Sequence, residues 1–198
     1  MFGITFVHWL VVISSIMSVA GSAIYIRDTV KGKTRPNRIT WFLWALAPLI
    51  GTGAAITAHA DLWATVRVFL AGFMPLIVLI ASFFNKLSYW KLNKFDIFCG
   101  ACSLIALVFW LIIDVPRIAI LFAALADGFA ALPTIIKGWK YPETESGLTF
   151  FIGFIGVLII LPSIPVWNIE NSAFQIYLLI ANFLLFSSIY HKRIFKKI

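Results

Sequence analysis

Asp127 is the residue whose type and position most clearly suggest chemistry, because it is an acid in the middle of a long apolar run. If that run crosses a membrane, a charge at its centre costs about 2.5–3.5 kcal/mol unless it is solvated or paired. One interpretation is a carboxylate that binds a ligand or accepts a proton in a cavity. The other is a carboxyl that joins neighbouring helices through hydroxyl or amide partners. We favour the first, because an ionisable residue inside a membrane is by default a functional candidate.

Four further side chains are candidates for contact with a solute. Asn182 lies at a similar depth in the last apolar run, where it could bind a solute or join two helices, and we weigh these equally. Trp41 and Trp44 lie at the start of another apolar run. Anchoring at the membrane interface is their favoured role, with stacking on a planar or sugar ligand as the alternative. Phe150 has the matching position in the second half of the chain.

Hinge and gating candidates lie at prolines and at one end of the first apolar run. Pro133 and Pro48 each remove a helix hydrogen bond, so the chain can kink or hinge there. Tyr25 and Asp28 come at the end of the first run. They are candidates for gating a cavity mouth, and the alternative is an exposed helix end.

Composition places all these residues in an integral membrane protein. The chain has 198 residues, 62% of them hydrophobic, and a mean hydropathy of +0.98. A soluble domain contains roughly 45–50% apolar residues. The net charge of +8 would suggest nucleic acid in a soluble protein, but the basic residues lie in short loops beside apolar spans. The positive charge therefore indicates which loops lie on the cytoplasmic side of the membrane, and nucleic acid is not an expected partner.

Metal and enzyme chemistry are not indicated. Cys99 and Cys102 have the spacing of a redox or zinc half-site, but zinc needs about four ligands and no second Cys pair or paired His could complete the set. We interpret the two cysteines as small residues that pack within a span. His8, His59 and His191 are scattered at span ends, without the spacing of a metal-dependent hydrolase. We therefore predict a protein that is not an enzyme and has no metal or cofactor.

Seven segments are long and apolar enough to cross a membrane, which takes about 20 residues each. Their predicted bounds are Ile4–Ile26, Ile39–Ala58, Leu62–Phe84, Phe95–Ile113, Val115–Ile136, Leu148–Ile164 and Phe174–Tyr190. The loops after the first, third and fifth spans and the C-terminal tail carry 14 of the 16 basic residues. Because basic loops stay in the cytoplasm, the N-terminus is predicted outside and the C-terminus inside, and we expect the bacterial inner (plasma) membrane. Arg67, within the third span, is predicted to snorkel to the outer interface, with substrate binding as the alternative.

Polar and glycine landmarks repeat along the chain at one constant offset. Lys31-Gly32 returns as Lys137-Gly138, Pro36 as Pro142, and the segment 82–86 as 188–192. The same offset pairs Gly21 with Asp127. The offset covers four predicted spans. Because four is an even number, the repeated halves run in the same direction through the membrane. The fold prediction is all-α, with residues 1–86 and 115–198 as two parallel three-helix bundles and residues 87–114 as a linker helix.

The repeated hairpin carries a resemblance to a known family. Residues 21–41 and 127–150 each contain a helix that ends in a basic Lys-Gly turn, followed by a Thr-bearing entry into an aromatic-rich helix. This pattern resembles the PQ-loop and SWEET-like (MtN3-type) transporter superfamily. The Pro-Gln pair that names the family is replaced by Pro133-Thr134 in the second copy and by Arg27-Asp28 in the first. The resemblance implies two triple-helix bundles, a substrate cavity between them, and alternating access through bending at prolines.

The predicted function is therefore a facilitator or proton-coupled carrier of a small polar solute, such as a sugar or a vitamin precursor. Its partners are that solute and the lipid bilayer, and the sequence leaves homo-oligomer formation open. From another class, the same fold resembles membrane receptors that bind a peptide or a small ligand without transporting it. Saturable binding without solute flux would favour the receptor, and a structural or lipid-handling protein would show neither.

Overall fold

The computed structural model describes residues 6–57, 62–164 and 166–195, and within these ranges all regular structure is helical. The predictions that fall on Ile4, Ala58 and His59 lie outside the described residues. The all-α fold class is confirmed. The α-helices are α1 (Phe6–Val30), α2 (Arg38–Thr57), α3 (Leu62–Ala81), α4 (Lys94–Ile112), α5 (Pro116–Lys140), α6 (Gly147–Ile160) and α7 (Ile169–Phe195). Short 3₁₀ turns lie at Lys86–Ser88, Pro142–Thr144 and Leu161–Ser163.

Several helix ends differ from the predicted span ends. The helix α5 continues through basic residues to Lys140, whereas its predicted span ends at Ile136. By contrast, α3 ends at Ala81 and α6 ends at Ile160, before the proline-containing 3₁₀ turn Leu161–Ser163. Hydropathy indicates where a chain leaves the bilayer, whereas caps, prolines and packing determine where a helix ends.

Five helices are long and apolar enough to cross a membrane, namely α1, α2, α4, α5 and α7. Two shorter apolar segments belong to the remaining helices: Thr65–Ala81 lies in α3, and Gly147–Ser163 is α6 with the 3₁₀ turn that follows it. Large apolar side chains on α4 face outward, among them Phe98 at 63% and Ile112 at 64% exposure. These features are those of an integral membrane protein.

Local chemistry explains several helix ends. Asn93 caps α4: its side chain accepts the backbone N–H of Asp96, and the Asp96 carboxylate accepts the backbone N–H of Asn93. Pro116 is the first residue of α5, where its missing N–H costs no helix hydrogen bond. Gly32 follows α1 with φ of 73°, a left-handed conformation that favours glycine.

The helices α3 and α7 each pack against two other α-helices. The helix α3 contacts both α1 and α2, and α7 contacts both α5 and α6. In addition, α1 packs against α6 and α2 packs against α5. The helix α4 packs against α5 and α2. A hydrogen bond from Ser103 Oγ to the Ala126 carbonyl, 2.6 Å long, joins α4 to α5.

Two threonine hydroxyls form hydrogen bonds across the α2–α5 and α1–α6 contacts. Thr40 Oγ1 of α2 donates to the Ala130 carbonyl of α5 over 2.7 Å. Thr149 Oγ1 of α6 donates to the Gly21 carbonyl of α1 over 2.9 Å. Both bonds connect the start of one helix to the middle of another, so they hold the helices that surround the interior of the protein.

Candidate functional site

A cavity of about 260 Å³ lies inside the helical bundle. Its lining residues come from α1, α2, α3, α5, α6 and α7, and none of those described comes from α4. Binding sites for drug-sized molecules measure about 300–1,000 Å³, so this cavity suits a smaller ligand.

All five residues predicted to bind the solute line this one cavity, although they come from four helices. They are Asp127 on α5, Asn182 on α7, Trp41 and Trp44 on α2, and Phe150 on α6. The hinge candidate Pro48 also lines it. The other hinge and gating candidates are not among the lining residues, and they are described below.

Asp127 is a partly buried carboxylate with a neutral partner. Its Oδ2 accepts a hydrogen bond from the Tyr177 hydroxyl of α7 over 2.6 Å. No basic side chain in the described part of the chain forms an ion pair with it. The structure thus gives Asp127 features of both sequence interpretations: it lines the cavity, and it also connects α5 to a neighbouring helix.

Aromatic side chains form one side of the cavity. The ring centroids of Trp41 and Trp44 lie 5.2 Å apart and those of Trp44 and Phe150 lie 6.3 Å apart, both edge to face. Trp41 is only 4% exposed, so its predicted role as an interface anchor is wrong: it packs inside the protein. Neither buried indole N–H meets the geometric limits of a hydrogen bond to a described residue, but Trp41 lies close to the Tyr25 hydroxyl and Trp44 close to the Asp127 carboxylate. The aromatic wall therefore offers ring faces to a ligand.

The amide of Asn182 presents its oxygen toward α6. Its Nδ2 donates to the Leu178 carbonyl, 2.8 Å away on the same helix, so the hydrogen bond is not interhelical. Its Oδ1 lies beside Gly153 of α6, where an added Cβ would come within 2.5 Å of that oxygen. Glycine at position 153 therefore leaves space for the amide.

Sequence reasoning did not select several cavity residues. Arg67, for which substrate binding was the alternative to snorkelling, lines the cavity, and its guanidinium donates to Gln175 Oε1 over 3.1 Å. The serines Ser15, Ser18 and Ser22 also line the cavity. Their spacing of three and four residues places them on one face of α1, and this polar stripe was a usable signal.

A buried polar network lies at the end of the bundle that carries the connections 31–37, 82–93 and 141–146, here called the basic end. Lys137 Nζ lies 2.6 Å from Glu145 Oε1, and the two side chains are 1% and 0% exposed. The Tyr25 hydroxyl donates to Glu145 Oε2 over 2.5 Å. Lys137 also donates to the Arg35 carbonyl and lies over the ring of Trp90. The network therefore joins α1 and α5 to the connections that precede α2 and α6.

The gating and hinge candidates lie at or near this network. Tyr25 is fully buried and packs on Trp41, with ring centroids 4.6 Å apart, so the alternative of an exposed helix end is wrong for it. Asp28 accepts a hydrogen bond from Ser146 Oγ over 3.2 Å. Pro133 is buried within α5, away from the cavity lining.

Comparison with known proteins gives no match to this chain among protein-family models, curated proteins or solved structures. The chemistry of the cavity and of the basic end therefore supplies the evidence on function.

Proposed function

We propose that this protein is a membrane transporter of a small polar solute that works by alternating access between two three-helix repeats, residues 1–86 and 115–198. The observation that carries this proposal is one cavity lined by residues of both repeats, mostly apolar but with aromatic rings and a few polar and charged side chains. The helix α4 lines none of this cavity within the described residues, which supports its role as the linker.

The two threonine hydrogen bonds support the repeat arrangement. The interval in sequence from Thr40 to Thr149 equals the interval between their acceptors, from Gly21 to Ala130. Each threonine therefore bonds, in the other repeat, the carbonyl that is equivalent to the acceptor of the other threonine. Reciprocal contacts of this kind are the behaviour of a two-fold axis.

A third contact agrees with that axis. The backbone N–H of Arg35 donates to the Thr144 carbonyl over 2.9 Å, and the same interval in sequence separates these two residues. A contact between equivalent residues is expected where the axis passes. This interval is slightly longer than the offset of the sequence landmarks, and it pairs Asp127 with Ser18, another cavity residue, instead of with Gly21.

The basic end supplies a gate. There Tyr25 and Lys137 both contact Glu145, and we assign these contacts to the closed gate. Alternating access requires these contacts to separate in the opposite state, and Pro48 and Pro133 are the proposed bending points. By the positive-inside rule this gate faces the cytoplasm.

Solute uptake into liposomes tests the function and the site. Purified protein is reconstituted and challenged with labelled sugars, vitamin precursors and amino acids, and the variants Asp127→Asn and Asn182→Leu are compared with Asp114→Asn. Asp114 lies between α4 and α5, outside the cavity lining, and serves as the matched control. We expect uptake to fall about tenfold or more in the two cavity variants only, as for loss of one polar contact to a charged group. Unchanged uptake in both would remove the site assignment, and saturable binding without uptake would favour a receptor.

A further inference from the structure

Two opposite charges face the same cavity without an ionic partner. Asp127 and Arg67 both line it, and neither forms an ion pair with any side chain that the structure describes, including each other. Their hydrogen-bond partners, Tyr177 and Gln175, are neutral. A charge held in a poorly solvated interior is stabilised most by an opposite charge.

We infer that the transported solute is a small zwitterion, whose ammonium group binds Asp127 and whose carboxylate binds Arg67. This inference rests on the proposed function of the cavity. One bound molecule of this class compensates both charges at once. A neutral sugar would leave both uncompensated.

The partners on α7 hold both charged groups and leave part of each free. Tyr177 donates to Oδ2 of Asp127, and the Trp44 indole also lies close to this carboxylate. A carboxylate has about four lone-pair sites, so it retains capacity to accept from an ammonium group. Gln175 accepts from one terminal nitrogen of Arg67, and the planar guanidinium retains further N–H donors for a carboxylate. Each charged group thus retains capacity for a charge-assisted hydrogen bond to a ligand.

The remaining lining limits the rest of the solute. Trp41, Trp44 and Phe150 offer aromatic faces that attract an ammonium group or pack on an apolar substituent. The volume of about 260 Å³ suits one molecule of amino-acid size and leaves no space for a peptide of several residues. The combination of charge and size indicates an amino acid or a close analogue.

Binding to the full-length protein in lipid nanodiscs tests the inference. Each of the common amino acids is screened for a shift in unfolding temperature, and the Kd of the best is measured by calorimetry. The same measurement is made with its methyl ester, which lacks the carboxylate, its N-acetyl derivative, which lacks the ammonium group, and glucose. We expect both derivatives to bind at least about 30-fold more weakly, as for loss of one partner of a buried charge pair.

Variants then assign each charge to its partner. Asp127→Asn is expected to abolish the preference for the amino acid over its N-acetyl derivative. Arg67→Gln is expected to abolish the preference for the amino acid over its methyl ester. The controls Asp114→Asn and Lys140→Gln change residues outside the cavity lining and are expected to retain both preferences. Because the derivatives remove charge from the ligand, the test stands even where a variant fails to fold.

The outcomes separate this inference from the proposed function. Equal binding of the derivatives, preferential binding of glucose, or no binding of any amino acid would overturn the zwitterion. Glucose uptake that depends on Asp127 would then leave the transporter proposal intact. Charge-dependent amino acid binding without liposome uptake would instead uphold the zwitterion and refute transport.

Discussion

At the residue scale, the hydroxyl of Tyr177 holds the carboxylate of Asp127 through a hydrogen bond from a neighbouring helix. Tyr177→Phe removes this hydrogen bond and keeps the ring that packs beside Gly128. A hydrogen bond to a charged group contributes about 1.5–3 kcal/mol, so we expect solute affinity to fall about tenfold or more. Calorimetry with the best-binding solute measures the effect. Tyr141→Phe, at an exposed tyrosine of the basic end, is the control, and equal affinities in the two variants would contradict the role of Tyr177.

The cavity residues differ in how far the sequence could predict them. Asp127 and Asn182 were identified from the sequence because a polar group in an apolar span is energetically unfavourable unless it has a polar partner or a ligand. The inward direction of Arg67 could not be predicted, because a long basic side chain near a span end reaches water or protein equally well. The pairing of Lys137 with Glu145 was also missed, since Glu145 lies in a connection whose path depends on packing.

At the element scale, the Lys137–Glu145 pair joins α5 to the connection before α6. Lys137→Met or Glu145→Gln alone leaves an unpaired buried group, which costs about 3–5 kcal/mol. We expect each single variant to lower the unfolding temperature in detergent and the double variant Lys137→Met/Glu145→Gln to lower it by less than the sum of the two. Lys140→Met and Glu143→Gln, at neighbours outside the buried network, are the controls. Additive effects of the two single changes would show that the pair is not coupled.

The close contact of α2 with α3 depends on Gly72. A Cβ at this position would lie 2.9 Å from the Ala45 carbonyl oxygen, a backbone atom that cannot rotate away. We expect Gly72→Ala to destabilise the protein by about 1–3 kcal/mol through overpacking. Gly53 is the matched control, because nothing lies within 4 Å of a Cβ added there. Thermal unfolding of both variants measures the difference, and equal stability would mean that α2 and α3 move apart without cost.

At the scale of the whole molecule, the charge pattern predicts which face each connection occupies. Lys33→Cys, between α1 and α2, is expected to react with a membrane-impermeant maleimide only after cells are permeabilised. Asp114→Cys, between α4 and α5, is expected to react in intact cells, because that connection is predicted outside. The unmodified protein is the control, since Cys99 is buried and Cys102 partly buried. The reverse labelling pattern would invert the proposed orientation.

The proposed repeat has two possible alignments in the sequence. Glycine and lysine landmarks at turns pair Asp127 with Gly21, whereas the interval that relates the contacts of Thr40 and Thr149 pairs it with Ser18. Turn residues mark where a chain bends, and the number of residues in each turn can change without moving the helices. Equivalence within a cavity is therefore better judged from reciprocal contacts than from loop motifs.

The unequal lengths of the helices have a consequence for the surrounding lipid. The helix α6 has 14 residues and its following 3₁₀ turn adds three, whereas α7 has 27. At their usual rise per residue, α6 and the turn together are about 27 Å long, against a hydrocarbon core of about 30 Å. A bilayer adapts to such a mismatch by thinning locally, at a cost of fractions of a kcal/mol per Å. Acyl-chain length therefore acts on one flank of this protein, and thin membranes are expected to suit it best.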